Sequence, residues 1–508
     1  MILINSSPKN ALRIFQPFLP IFAPIGAAYL LAVAEREGIP ARLVDEQIEP
    51  DVFELISRHT KELQPPYLFG FSVLTAANKQ ALTVSRKLKE LYRDSVICFG
   101  GPHPTAVPEE VLAHEHIDVV VRGEGESIIL DLYRRVKERK DFCDLPGLSY
   151  RRDGKIEHNP LAPLILDLDS LPRFPYHHFV DKPYDLGFTT SSRGCPYNCI
   201  FCSNRNTTGR RYRYKSTELI LEDLEILRDK YDQQHVLFLD DNFLVNKDRI
   251  YRLLKEMRRR NLGNGMTFSF QARGDNVDFE LLKELYATNF SSVFFGLETA
   301  SEELMRILDK GETVEQCKKA VRMAKEIGFH VSATFMYALP GETHKDRMNA
   351  LYLSKDLQLD MVRFNNVTPY PGTRLFDIAK QQDRLYIQGE YENFISVSTF
   401  IENPFHKIPF SYVPEGNTEQ EIRYDLLFSY FAFYLDFRRI RRIFATPHEN
   451  VGWFNAGENL VKILRKLPSL ILLASIISIK FFDLFLAILW RKGVKLSIRK
   501  MIAILSGH

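Results

Sequence analysis

Three of the six cysteines stand together in Arg193-Gly194-Cys195-Pro196-Tyr197-Asn198-Cys199-Ile200-Phe201-Cys202, a C-x3-C-x2-C spacing just past an extended run. Closed zinc sites take four protein ligands and iron-sulfur clusters usually take four cysteines. A triplet with no fourth cysteine in reach therefore implies an open metal site, with one position left for another ligand. A structural zinc knuckle or a set of buried thiols is the plainer alternative. The other cysteines, Cys98, Cys143 and Cys317, show no framework spacing, so a disulfide-stapled secreted protein is not expected.

The triplet and its flanks resemble the signature of the radical S-adenosylmethionine (SAM) superfamily. The resemblance implies that Cys195, Cys199 and Cys202 hold three irons of a 4Fe-4S cluster, whose fourth iron chelates the amino and carboxylate groups of SAM. It further implies that the reduced cluster cleaves SAM to a deoxyadenosyl radical, and that Phe201 lies beside the adenine. An electron donor such as flavodoxin or ferredoxin is then an expected partner.

Those cysteines need elements to position them. The 508 residues exceed one core and suggest two or three domains, with the 45% hydrophobic and 26% charged residues of an ordinary folded protein. A net charge of +3 argues for no particular partner, and nucleic-acid binding is not indicated. The first part alternates short apolar runs with helical patterns, the mark of parallel βαβ units. Strands are expected near Ile2-Asn5, Ala41-Val44, Leu68-Val73, Val96-Phe99 and Asp118-Val121, with an alanine-rich helix from Ile25 to Ala34 ended by Gly38.

Such a sheet binds ligands outside the carboxyl ends of its strands. The loops expected there are Ser72-Val73-Leu74-Thr75, Gly100-Gly101-Pro102-His103-Pro104-Thr105 and Arg122-Gly123-Glu124-Gly125-Glu126. Glycines let backbone approach a bulky ligand, and free N–H groups with hydroxyls can hold phosphate or amide groups. The set resembles the cobalamin-binding domain that precedes the radical SAM core in one large subfamily. By that resemblance Ser72, Leu74, Thr75, Gly100, Gly101, His103, Gly123 and Glu124 contact cobalamin. The D-x-H-x-x-G motif that supplies a cobalt ligand elsewhere is absent, so His103 is expected to touch the corrin or its nucleotide tail rather than cobalt. A loop-ordering hydrogen bond is its alternative role, and a Rossmann-like domain without ligand is the alternative for the whole unit.

The chain divides into residues 1–150, a Rossmann-like cobalamin-binding domain; 151–186, a Pro-rich linker; 187–395, a radical SAM core; and 396–508, a mostly helical C-terminal region. In the core a strand at Phe188-Ser191 is followed by strands near Val236-Asp240, Met266-Ala272, Val293-Leu297, Val331-Met336 and Val362-Val367. Six βα units fit an open, partial (β/α)6 TIM barrel, with its chemistry at the carboxyl ends of the strands. The motifs there resemble those of the cobalamin-dependent subfamily. They imply that Gln271 and Arg273 line the SAM site, that Glu298 binds SAM through its ribose or amino group, and that Leu339 and Pro340 pass near the adenine. A structural Glu298–Arg273 ion pair is the alternative. Of Asp240 and Asp241, at least one is expected to order the barrel mouth.

The tail carries apolar runs from Leu470 to Ile479 and from Leu484 to Trp490, interrupted by Lys480 and Asp483, each costing on the order of 3 kcal/mol inside a bilayer. A span is therefore disfavoured. Arg465, Lys466, Arg491, Lys492, Lys495, Arg499 and Lys500 flank the runs and suit anionic headgroups, although the apolar positions do not form one clean helical face. Peripheral membrane contact and packing on the barrel or on a second subunit both remain open. The aromatic helix around Phe428–Leu435 leads into Arg438-Arg439-Ile440-Arg441-Arg442 and reads as a core helix with a solvated charged end. Met1-Ile2-Leu3-Ile4-Asn5 opens directly into a strand, without the pattern of a signal peptide. The expected location is the cytoplasm, with any membrane contact at the inner face.

The resemblance implies a cobalamin-dependent radical SAM methyltransferase. One SAM would form methylcobalamin, and another would yield the radical that takes hydrogen from an unactivated carbon of a small-molecule or lipid-like substrate. Oxidative cyclisation or ring rearrangement, as in the anaerobic Mg-protoporphyrin monomethyl ester cyclase type, is the second reading. A non-catalytic iron-sulfur and corrinoid-binding protein is the third. Nothing in the sequence selects a substrate.

Overall fold

A computed structural model describes residues 1–8, 20–396, 402–439, 441 and 460–492. Short β-branched and aromatic runs form β1 (Ile2–Asn5), β2 (Arg42–Asp45), β3 (Leu68–Ser72), β4 (Val96–Gly100) and β5 (Val119–Val121), paired in parallel in the order β2-β1-β3-β4-β5. Ile2, Ile4, Phe69, Phe71 and Phe99 point into one core, while Leu3, Leu68, Cys98 and Val119 point into another. Both faces are covered by helices, which is why these strands read as continuous apolar runs. Helices Ile25–Arg36 and Ile129–Glu138 cover one face; Val52–Glu62 and Asn78–Leu91 cover the other. The strand order reverses between β1 and β3, the place where open α/β sheets bind ligands.

The sheet continues antiparallel through β6 (Leu148–Arg152) and β7 (Lys155–His158). Residues 151–158 thus belong to the first sheet rather than to a linker. Their turn, Asp153-Gly154, has both residues at positive φ, a hairpin signal inside a segment otherwise marked by prolines.

The second sheet has six parallel strands in sequence order: β8 (Phe188–Thr189), β11 (His235–Phe238), β12 (Thr267–Ala272), β13 (Phe290–Glu298), β14 (His330–Tyr337) and β15 (Met361–Asn366). The end strands β8 and β15 do not pair with each other, so the partial barrel is open. Phe238, Phe243, Phe268 and Phe270 pack around Phe290 in the buried core shared with the covering helices. β8 is shorter than expected because buried Asp240 draws the next residues aside. Its Oδ1 accepts from the Ser191 and Ser192 amides at 2.6 and 2.9 Å, and Oδ2 accepts from the Ser191 hydroxyl. The chain then forms β9 (Ser192–Arg193), antiparallel to β10 (Arg213–Tyr214).

Helix Glu419–Tyr434, started by the Thr418/Glu421 capping box, covers the open edge at β15. The Tyr430 hydroxyl accepts from the Phe364 amide at 3.2 Å. The Tyr434 hydroxyl accepts from the Val362 amide at 3.2 Å and donates to the Val362 carbonyl at 2.8 Å. Unpaired edge groups are thereby satisfied. Arg439 ends this segment on the Asp360 carbonyl, 2.7 Å away, while Arg438 is exposed; Ile440 and Arg442 lie outside the described residues. Helix Leu460–Lys492 then packs on Glu419–Tyr434, with Leu484 against Leu427 and Phe431. One face of the tail is therefore a packing face. Lys495, Arg499 and Lys500 lie outside the described residues.

Candidate functional site

The cysteine loop begins at Gly194, where φ is +85° and a Cβ would sit 2.3 Å from the Arg211 carbonyl oxygen, so a side chain is excluded. The loop is tied to successive barrel strand ends. The Gly194 amide donates to Asp241 Oδ2 at 3.0 Å, and the Ile200 amide to the Leu308 carbonyl at 3.0 Å. Asn242 Nδ2 donates to Asn276 Oδ1 at 2.6 Å, and Asn276 Nδ2 donates to the Tyr197 hydroxyl at 2.6 Å. Asp240 and Asp241 both order the barrel mouth.

Cys195, Cys199 and Cys202 are free thiols. Burial pushes all three up, Cys199 to about 12, against the opposing pull of Lys310 and Arg273. Thiols in this state need a bound cation to become thiolates. Sulfurs on one tetrahedral zinc would lie about 3.8 Å apart. Among the described residues, the only groups of three ligand atoms within 4.8 Å of one another are Glu35/His177/His178 and Asp141/Cys143/Asp144. The three cysteine sulfurs therefore do not all lie within 4.8 Å of one another, a wider spacing than one zinc ion takes.

Buried charges lie beside Cys199. Arg273 donates from Nε and Nη2 to Asp275 at 2.9 and 3.0 Å, and its guanidinium lies 3.5 Å from the Tyr197 ring centroid. Its structural partner is Asp275, not Glu298. Glu298 closes β13 at φ +63°, is buried, and meets Lys310 Nζ at 3.3 Å through Oε1. Its Oε2 has no hydrogen-bond partner. Burial raises the Glu298 pKa against the pull of Lys310. Burial also disfavours the Lys310 ammonium, but Glu298 and Glu312, the latter at 2.7 Å, outweigh it and raise its pKa. An orphaned buried carboxylate oxygen suits a hydroxyl or ammonium donor of a ligand. Phe201 is half-buried against the barrel core, Gln271 is half-buried near the end of β12, and Leu339 and Pro340 are buried in the turn after β14. That turn is held by Glu342, which accepts from the Ala338 amide at 2.6 Å and pairs with Arg347 at 3.2 Å.

The loops of the first sheet converge on this mouth. Ser72 ends β3, Leu74 beyond it is 59% exposed, and Thr75 is buried. Gly100 ends β4 and Gly101 has φ +101°, where a Cβ would stand 3.0 Å from the Val73 carbonyl oxygen. His103 is buried edge-on to Tyr391, ring centroids 4.9 Å apart, and neither ring nitrogen has a partner. The expected alternative, a loop-ordering hydrogen bond, is not made. The Gly123 amide donates to Thr105 Oγ1 at 3.1 Å. Glu124 uses both oxygens, accepting from Arg193 (3.2 Å), Arg213 (2.7 Å) and the Ile165 amide (2.9 Å). The structure employs Glu124 as an ion-pair lock onto the strand that leads into Cys195. Helix Pro102–Ala106 meets helix Asn204–Thr208, which directly follows Cys202. An exposed apolar side chain, glycine-lined backbone and an orphaned imidazole at the carboxyl ends of β3 and β4 suit a large, partly apolar ligand with polar appendages.

Tyr197, Asp275, Lys310, Glu312 and Tyr391 complete this arrangement without having been singled out in the sequence. Only Lys310 and Glu312 carried a local signal, as charged residues around Gly311 between helices Glu302–Ile307 and Val314–Ile327.

The sequence matches the radical SAM superfamily over residues 189–352 and the B12 binding domain over residues 17–132. An uncharacterized methyltransferase of Pyrococcus horikoshii is 32% identical over 362 residues, covering 70% of this chain and 78% of that one. The anaerobic magnesium-protoporphyrin IX monomethyl ester cyclase of Rubrivivax gelatinosus is 26% identical over 386 residues, covering 73% and 69%. Two solved structures share the fold. The radical S-adenosylmethionine methyltransferase TsrM of Kitasatospora setae, with cobalamin and a 4Fe-4S cluster bound, has TM-score 0.62 and 20% identity, covering 75% of this chain and 74% of that one. The cobalamin-dependent S-adenosylmethionine radical enzyme OxsB, with aqua-cobalamin bound, has TM-score 0.69 and 17% identity, covering 100% and 75%.

Proposed function

The chain belongs to the radical SAM superfamily, in the branch with a B12-binding domain, and is an enzyme that uses a 4Fe-4S cluster, SAM and cobalamin; from that premise we propose that it methylates an unactivated carbon of a small molecule. The observation that carries the reading is convergence: the carboxyl-end loops of both sheets meet at the segment around Cys202. When bound, the cluster with SAM supplies hydrogen abstraction and the corrinoid supplies methyl transfer.

The protein's part is placement and exclusion of water. Cys195, Cys199 and Cys202 hold the cluster, and the positive charge of Arg273 and Lys310 favours thiolate at Cys199. Glu298 offers its free oxygen to the ribose or amino group of SAM, with Lys310 favouring its ionised form and Glu312 helping to keep Lys310 charged. Phe201, Gln271, Leu339 and Pro340 line the SAM pocket. Ser72, Leu74, Thr75, Gly100, Gly101, His103 and Gly123 hold cobalamin, while Glu124 fixes that rim to the cysteine loop. Reduced flavodoxin or ferredoxin supplies the electron, and the oxygen-sensitive cluster places the reaction in the reducing cytoplasm.

The test is incubation of the reconstituted enzyme and reductant with SAM deuterated in its methyl group and candidate small molecules. A product carrying the labelled methyl supports the proposal. A product that is cyclised or rearranged without the label refutes methylation and selects the cyclase reading, which the similarity to the Rubrivivax cyclase favours.

A further inference from the structure

Helix Leu460–Lys492 is apolar on two faces, and among the described residues one of them is packed. Leu473, Ile476, Lys480 and Leu484 follow one another at three- and four-residue steps and are buried. The other face presents Leu467, Ile471, Leu472, Ile479, Phe482, Leu486 and Trp490, all exposed, with Phe482 at 60% and Trp490 at 93%. At 3.6 residues per turn these seven fall within an arc of about 140° and along about 35 Å of helix. Exposed apolar surface of this extent marks an interaction site.

The polar residues inside the arc behave in keeping with an apolar partner. Ser475 Oγ donates to the Ile471 carbonyl and Ser478 Oγ to the Ala474 carbonyl, each at 2.8 Å, so neither hydroxyl donor requires water. The sequence puts Arg465 and Lys466 toward one end of the helix and Arg491 and Lys492 at the other. Trp490, an amphipathic ring suited to a headgroup region, stands next to the second pair.

We propose that this face docks onto an anionic lipid bilayer, with the helix lying in the plane of the interface. A span is opposed by the lateral packing of Leu484 and Phe481 on helix Glu419–Tyr434 and by Lys480 and Asp483 near its middle. Pairing with a second copy is opposed by charge. Both ends of the helix are basic, so a symmetric pair brings basic ends together whether the helices run parallel or antiparallel. The charge that complements two basic ends around an apolar strip is an anionic headgroup layer. This inference is independent of the reaction proposed above.

The test uses the full chain and vesicles of phosphatidylcholine alone or mixed equally with phosphatidylglycerol. The protein should co-sediment with the mixed vesicles, less with the neutral ones and less as salt rises, and in a Trp453→Phe background Trp490 emission should shift to the blue on binding. Phe482→Glu and Leu486→Glu, at exposed positions, should each reduce partitioning about tenfold or more, and the uncharged Phe482→Ser should act in the same direction. Circular dichroism and iron content check that the variants fold. Absence of co-sedimentation, or variants that bind as the parent does, overturns the proposal. A dimer that Leu486→Glu dissociates, with no vesicle binding, assigns the face to a second copy and likewise overturns it.

Discussion

His103 offers a pH measurement with a defined sign. Burial holds its imidazole neutral and lowers its pKa from 6.5 to about 4. The unfolded chain takes up a proton as pH falls through 6.5, while the folded chain does not until about pH 4. Stability from this residue is therefore fully present above 6.5 and is lost across the window down to about 4. The difference in pKa corresponds to about 3 kcal/mol. His103→Phe keeps the edge-on contact with Tyr391, ring centroids 4.9 Å apart in the parent, and removes two nitrogens that have no partner. Urea unfolding of parent and variant should give equal stability, or a small advantage to the variant, at pH 8. Between pH 6.5 and 4 the parent should lose about 3 kcal/mol more than the variant. Subtracting the two curves removes the titration of the carboxylates they share. Parallel curves would refute the claim that a neutral imidazole is buried there.

Glu124→Gln should cost about 3 to 5 kcal/mol, read as a lower thermal midpoint, because it leaves buried Arg213 beside a neutral amide in place of its carboxylate partner at 2.7 Å. Lys310→Met removes the cation 3.3 Å from Glu298 and 2.7 Å from Glu312. Glu298 should then take up a proton at neutral pH, seen as a carboxylic acid band in infrared difference spectra, and anaerobic SAM binding should weaken at least about tenfold, with partial recovery in Lys310→Arg. Gly194→Ala places a methyl 2.3 Å from the Arg211 oxygen at φ +85°; reconstituted iron per chain should fall well below the parent's while far-ultraviolet dichroism changes little.

The parallel strands were legible because each is a short apolar run between helical patterns, and the observed β1 to β5 lie within about two residues of the runs that announce them. The cysteine loop was legible for a different reason: three ligands within eight residues need no tertiary knowledge. The β6–β7 hairpin was not, since Pro160 and its neighbours suggested a connection while the strands themselves are short and half polar. The partners of the charged residues were also hidden. Arg273 meets Asp275, two residues away, whereas Glu124 meets Arg193 and Arg213 across 69 and 89 residues, separations at which local pattern carries no information. Tyr391 reaches both His103 and Glu110 from beyond the last barrel strand in sequence, 281 residues from Glu110, and was hidden for the same reason. The tail showed no clean helical face because it has two apolar faces, one packed on Glu419–Tyr434 and one exposed.

The central claim is that one chain carries a cluster, SAM chemistry and a corrinoid in a single working site. It is tested by anaerobic purification, cluster reconstitution and hydroxocobalamin loading, followed by assay of iron, sulfide, corrinoid and SAM cleavage. Such a site requires about four irons and one corrinoid per chain, with deoxyadenosine formed only under reduction and lost in Cys195→Ala, Cys199→Ala and Cys202→Ala. A chain that binds the cluster and cleaves SAM but retains no corrinoid would contradict it.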